Sequence, residues 1–261
     1  MPNAVKKPMI VTDGHPDMPA AEWQTRVDLA AMYRLAALSG WDDMLATHMS
    51  ARVAGEGHQF LINPTGLMFD EITASSLVKV DQDGNILDGS PHGINRAGYV
   101  IHSAVHMSRP DAKFIVHLHT IDGMAVSTQT DGLLPLTQTS LVAMPQLAYH
   151  DYEGIALDLD ERERLVADLG DKTMLMLRNH GTLALGATAG HAWFNIYTLE
   201  RSCALQIRAL SAGRSGIQLA PATVIEKVTD QIRKGSAAAY YEAVWAALLR
   251  RVARLSPGFD S

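Results

Sequence analysis

Lys113-Phe114-Ile115-Val116-His117-Leu118-His119 is an apolar run that ends on two histidines one residue apart. The segment before it, from about Ala97 to Met107, carries a helical pattern that stops at Ser108-Arg109-Pro110, where the proline ends the helix. The segment after it, Thr120 to Ser127, returns as helix. The run therefore reads as a buried strand between two helices. Residues i and i+2 of a strand point to the same face, so His117 and His119 present two imidazoles to one point.

Outward from this strand the chain alternates helical and β patterns. Ala20 to Leu38 repeats apolar residues at helical spacing and stops at Gly40. Leu45 to Val53, His58 to Asn63 and Leu77 to Leu87 are β-rich, the last folded back at Asp83-Gly84 as a hairpin. Further strands are expected at Gln146 to His150, Thr173 to Arg178 and Thr182 to Leu185, with a helix from Asp158 to Leu169. Thr188 to Ala212 reads as one long helix and Val224 to Leu255 as two, broken near Lys234-Gly235-Ser236. The expectation is an irregular N-terminal arm over residues 1–19 and a single α/β domain with C-terminal helices over residues 20–261.

Composition narrows the function. With 47% hydrophobic and 19% charged residues the 261-residue chain has the makings of a sizeable core. A net charge of −6 gives no electrostatic case for nucleic acid or an anionic membrane as partner. With no signal-peptide pattern and no membrane-length apolar run, a cytoplasmic protein acting on a small molecule is expected. Cys203 is the only cysteine, which leaves histidines and carboxylates as metal ligands.

His180 is the third candidate ligand, because it follows the apolar run Met174 to Leu177 and precedes Gly181 at a strand end. Three neutral imidazoles suit zinc, manganese, iron or cobalt and leave a coordination position open. The alternative for a chain with 11 histidines is a set of buried rings bonded to backbone carbonyls.

The order of motifs resembles the class II aldolase/adducin family. His48-Met49-Ser50-Ala51-Arg52, Asn63-Pro64-Thr65-Gly66, Arg109-Pro110-Asp111-Ala112 ahead of His117-Leu118-His119, and Asn179-His180-Gly181 follow one another at compatible spacing from Trp23 to Ala212. The resemblance implies a three-layer α/β/α sandwich around a mainly antiparallel sheet, a divalent metal on His117, His119 and His180 with zinc preferred, and a homotetramer with active sites at subunit interfaces. It also implies departures. The glutamate that sugar-phosphate aldolases of the family carry before this strand falls on Gly98, and their phosphate-binding Gly-Asn and Ser-Ser fall on Thr47-His48 and Arg96-Ala97. Thr65 and Gly66 remain as substrate contacts.

These departures imply an unphosphorylated substrate. Arg96 is placed to pair with a carboxylate or else stands on the surface. His48 would donate to substrate or shuttle a proton, or else bond the neighbouring loop. Tyr149 is the expected proton donor, with Tyr152 and Glu153 as rivals. Trp193, Tyr197, Glu200 and Cys203 read as helix packing, and Tyr240, Val244, Leu248 and Val252 as a docking or oligomer helix. The function that follows is a metal-dependent carbon–carbon lyase, a decarboxylase or retro-aldol enzyme, on a small hydroxy, oxo or aromatic carboxylate. A non-haem iron oxygenase and a non-catalytic adducin-like scaffold are the alternatives.

Overall fold

A computed structural model of the chain describes residues 17–55, 57–154 and 160–261. The strands are β1 (His48–Arg52), β2 (Phe60–Ile62), β3 (Val78–Val80), β4 (Phe114–Leu118), β5 (Leu147–His150), β6 (Met174–Leu177) and β7 (Gly181–Gly186). The helices are α1 (Ala20–Leu38), α2 (Arg96–Ser108), α3 (Ile121–Ser127), α4 (Gln138–Ala143), α5 (Glu161–Leu169), α6 (Ala189–Leu210), α7 (Ala222–Lys234) and α8 (Ala238–Leu255). The expected arm over residues 1–19 and the first residues of the helix expected from Asp158 lie almost wholly outside the described residues.

Among the described residues the seven strands form one sheet in the order β3-β2-β1-β4-β7-β6-β5, antiparallel throughout except for the β5–β6 pair. The alternation of β4 shows why helices cover both faces. Phe114, Val116 and Leu118 join the core built with α1, α6 and α8, whereas Ile115 joins a second core with Ile101 and Val105 of α2 and Leu165 and Leu169 of α5. The expected α/β/α sandwich with a mainly antiparallel sheet is therefore present. Two local readings differ. The return arm of the Leu77 to Leu87 hairpin shrinks to a single bridge between Val80 and Ile86, because Asp81 takes the turn's N–H groups of Asp83 and Asn85 on its own carboxylate. The short α4 was not expected, and Thr137 and Ser140 cap it reciprocally. No helix among the described residues is long and apolar enough to cross a membrane.

Register gathers the chemistry at one end of the sheet. His48 pairs with His117, Leu118 with Thr182, Leu177 with Gly181 and His150 with Leu177. The loops after β2, β4, β5 and β6 and the segment before β1 consequently leave from the same edge. Tyr33 of α1 fixes part of it: its hydroxyl accepts from Met49 N–H at 2.6 Å and lies 2.9 Å from Asn63 Oδ1, which holds the Pro64-Thr65-Gly66 loop beside β1.

Helix α2 lies on β1 through a polar seam. Gly98, His102 and His106 recur at every fourth position and so share one helix face. That face meets His48 and Ser50, all buried. A Cβ at Gly98 would overlap the His48 ring, 2.6 Å from Cγ and closer still to Cδ2 and Nε2.

Helix propensity alone would favour alanine over glycine by about 1 kcal/mol. Overlap with His48 should reverse that sign, making Gly98→Ala destabilising by about 1–3 kcal/mol, while in a His48→Ala background the same change should stabilise. Urea denaturation of the four proteins of the cycle checks this, and a neutral Gly98→Ala in the wild-type background would contradict the packing. Burial also pushes His106 down to about 3 and His102 well below 6.5. Below about pH 6.5 the unfolded chain then binds protons that the folded chain does not. Stability should therefore fall as pH drops from about 6.5 toward 3, by about 1.4 kcal/mol per pH unit for each such proton, read as a falling urea midpoint.

Candidate metal centre

The hydrogen bonds of the two strand histidines assign their tautomers. His117 Nδ1 lies 3.0 Å from the Thr182 carbonyl and His119 Nδ1 lies 3.2 Å from the Asp43 carboxylate. Neither partner donates, so both Nδ1 atoms carry a proton, which in the neutral rings a metal takes leaves both Nε2 atoms as lone pairs. Those two Nε2 atoms are 3.0 Å apart. Two lone pairs at that separation repel unless a cation lies between them, and two nitrogens on a tetrahedral zinc would stand about 3.3 Å apart.

His180 completes the group. The turn that carries it uses Asn179 at a φ of 57°, in the left-handed region, and His180 N–H bonds the Leu177 carbonyl at 3.1 Å. Gly181 then passes so close to the end of β4 that a Cβ there would strike the Leu118 carbonyl and lie 3.1 Å from His119 Cδ2. The glycine is what lets the start of β7 close on β4. The ring of His180 sits 4.8 Å, centroid to centroid, from each of the other two, and one ligand atom from each of the three residues lies within 4.8 Å of the others. Burial first, then the neighbouring histidines, holds His117 well below its ordinary value, and burial with His119 and His150 lowers His180 to about 4. Both rings are thus neutral near pH 7, the state a metal needs. The donor set and its hydrogen-bonded backing fit a divalent ion.

Behind the ligands lies Glu200 of α6, buried, accepting hydrogen bonds from the hydroxyls of Thr120 and Thr182. Burial raises its carboxyl to about 7, against the pull of those two hydroxyls. It ties the residue after His119 to the residue whose carbonyl orients His117. Asp43, Thr182 and Glu200 went unrecognised in the sequence because no local pattern links them to the histidines. Asp43 precedes His119 by 76 positions, and Glu200 fits a packing register on its helix.

The other expected residues divide. His48 lies beside the ligands, its ring 5.1 Å from His117, and Thr65-Gly66 stands exposed at the same sheet edge with Gly66 at a φ of 103°. Arg96 is corrected. It is two positions from Gly98, about 200° around the helix, so it faces away from His48, and its Nη1 lies over Gly84. Tyr149, the expected proton donor, is on β5. It belongs to the sheet face opposite His117, where its hydroxyl accepts from Leu133 N–H at 3.0 Å and Arg178 covers its ring at 4.4 Å. Tyr152, its rival, lies 6.2 Å from His180, centroid to centroid, with 53% of its surface exposed. Glu153 is paired with Arg164.

Metal-free protein titrated with zinc against a competing chelator should bind one ion per chain. The His117→Ala/His119→Ala double variant should bind none, and Asp43→Ala should bind about 10- to 100-fold more weakly through loss of the carboxylate behind His119. Near-stoichiometric zinc in the double variant would refute the assignment.

Comparison with known proteins gives the family of the chain. The family described as "Class II Aldolase and Adducin N-terminal domain" matches residues 27–207. A Caulobacter vibrioides protein that carries the aldolase class 2 name, with no substrate attached, is 59% identical over 92% of this chain and 93% of its own length. Alpha-adducin of Rattus norvegicus is 46% identical over 72% of this chain, which covers 26% of that longer protein. The crystal structure of an aldolase II superfamily protein from Pseudomonas syringae superposes with a TM-score of 0.89 at 52% identity, over 94% of this chain and 98% of that one. The chain belongs to the class II aldolase and adducin family.

Proposed function

We propose that the chain is a metal-dependent carbon–carbon lyase, decarboxylating or cleaving by retro-aldol reaction a small unphosphorylated hydroxy, oxo or aromatic carboxylate. The observation that carries this is the pair of bare Nε2 atoms 3.0 Å apart, backed by Thr182 and Asp43 and joined by His180. His117, His119 and His180 would hold the ion, with zinc favoured and manganese, iron or cobalt as the other metals this donor set accepts. When bound, such an ion supplies Lewis-acid polarisation of substrate oxygens.

The chain's own residues do the rest. Thr182, Asp43 and Glu200 keep the ligand rings from turning, so the site needs little reorganisation. Thr65 and Gly66 offer backbone and hydroxyl contacts to substrate at the same sheet edge. After carbon–carbon cleavage the carbon left behind needs a proton, and Tyr152 is the donor beside His180. His48 occupies the place next to Gly98 and leaves no room there for an acidic side chain. The proton therefore has to come from a residue other than position 98. A homotetramer with sites at subunit interfaces belongs to the same proposal.

Similarity to alpha-adducin favours a second reading, a binding scaffold without turnover. A scaffold has no need of three converging imidazoles with carboxylate backing, which is the argument for the enzyme.

Anaerobic turnover of a panel of hydroxy, oxo and aromatic carboxylates by the zinc-loaded protein separates the readings. On any active substrate Tyr152→Phe should lose about 10²- to 10⁴-fold in kcat with zinc retained, while Tyr149→Phe keeps turnover near the wild-type level. L-fuculose 1-phosphate should be a poor substrate. Turnover that requires molecular oxygen, or full activity in Tyr152→Phe, would overturn this mechanism.

A further inference from the structure

Four buried side chains connect the ligand group to the far end of α2. His106 Nδ1 lies 2.7 Å from the Ala112 carbonyl, His106 Nε2 lies 2.8 Å from Ser50 Oγ, Ser50 Oγ lies 2.5 Å from His102 Nδ1, and His102 Nε2 lies 2.9 Å from His48 Nδ1. Each is at most 3% exposed. Phe60 stacks on the His106 ring with centroids 4.6 Å apart. Arg52 donates to the His106 carbonyl.

The direction of this chain is not free. A carbonyl only accepts, so His106 Nδ1 must hold the proton and its Nε2 must be bare. Ser50 therefore donates to His106 and has only a lone pair left for His102, whose Nδ1 must donate to it. His102 Nε2 is then bare, and His48 Nδ1 must donate to that atom. His48 Nε2 is left without a proton. A neutral imidazole has one donor and one acceptor, burial keeps His102 and His106 neutral, and the bond from His48 Nδ1 to His102 Nε2 then selects the Nδ1–H form of a neutral His48 by geometry. One backbone carbonyl thus sets three tautomers in sequence.

We propose that His106, Ser50 and His102 are positioning residues that lock His48 as its Nδ1–H tautomer, so that His48 Nε2 stands as a fixed acceptor for a substrate hydroxyl beside His117. The Nε2 edge of the ring lies over Gly98, and the missing side chain there is what makes room for it. A bare lone pair accepts a hydroxyl proton in a hydrogen bond but repels a carbonyl or carboxylate oxygen, so the site selects a hydroxyl at that point. This replaces the donor role expected of His48, because a donor would need the other tautomer. The chain of bonds also ends on a carbonyl, which cannot take up a proton, so it orients His48 and does not conduct. The hydroxyl assignment rests on the lyase reading, whereas the tautomers do not.

Two measurements separate those parts. Two-bond ¹H–¹⁵N correlation spectra of ¹⁵N-histidine-labelled protein at pH 7, with and without zinc, report which nitrogen of each ring is protonated, with His48 and His102 assigned from their glutamine variants. His48, His102 and His106 should all carry the proton on Nδ1. In Ser50→Ala, His48 and His102 should become mixtures of tautomers while His106 stays unchanged, and Ser50→Thr, which keeps the hydroxyl, should restore the wild-type pattern. A proton on His48 Nε2 in the wild-type protein, or tautomers unmoved in Ser50→Ala, would overturn the proposal whatever the reaction proves to be. For the hydroxyl, zinc-loaded protein should prefer glycolate to acetate by a ratio that falls about two- to tenfold in Ser50→Ala. Comparing the ratio between proteins removes the contribution of the hydroxyl to the ion itself. An unchanged ratio would refute the hydroxyl assignment and leave the tautomers standing.

Discussion

The pairing of β4 with β1 on one side and β7 on the other is the constraint on which the site depends. It places His48 opposite His117 and Leu118 opposite Thr182, so the ligand strand takes its buried neighbour from one partner and its orienting carbonyl from the other. A slip of one residue would turn His117 to the opposite face of the sheet and separate it from both. The slip is prevented by burial, because Phe114, Val116 and Leu118 fill one core while Ile115 fills the other. The same apolar alternation that stabilises the sheet thereby aims the imidazoles. Gly181 secures the second contact by allowing β7 to begin against the Leu118 carbonyl.

The seam between α2 and β1 shows a different compromise. Apolar side chains at positions 48, 50, 102 and 106 would pack there without any demand for partners. The chain instead buries three imidazoles and a hydroxyl, each of which costs stability unless it is hydrogen-bonded. Every link is made, and the whole set is ordered by one carbonyl. Groups of this kind hold a unique arrangement more than they add to stability. The place where they end, beside His117, connects that arrangement to the site.

Family membership and site geometry together limit the function. Relatives include proteins of aldolase type and adducins, so fold alone does not decide between catalysis and scaffolding. The features that bear on the choice are local: two Nε2 atoms facing one another, His117 and His180 held neutral by burial, and a buried glutamate that joins Thr120 to Thr182. The His48 ring fills the space above Gly98. A substitution at either position has to be accommodated by the other.

Much of this was legible in the sequence wherever the information is periodic or short-range. The alternation of Phe114 to Leu118, the spacing of His117 and His119, and the turn at Asn179-His180-Gly181 identify the strand and the three histidines that the fold brings together, and the order of motifs identifies the family. Directions around a helix or across a sheet were not legible for isolated residues. Arg96 and Tyr149 stand at positions that suggest substrate contact, yet the helix rotates Arg96 away from Gly98 and the pleat of β5 turns Tyr149 to the opposite layer. Asp43, Thr182 and Glu200 carry no pattern of their own, because their roles come from strand pairing and helix packing across long separations in the chain. Sequence by itself determined which side chains were available to hold an ion and on which element each rides. Only the tertiary structure decided which nitrogen of each imidazole is free, since a tautomer depends on the hydrogen-bond partner that folding brings to the other nitrogen.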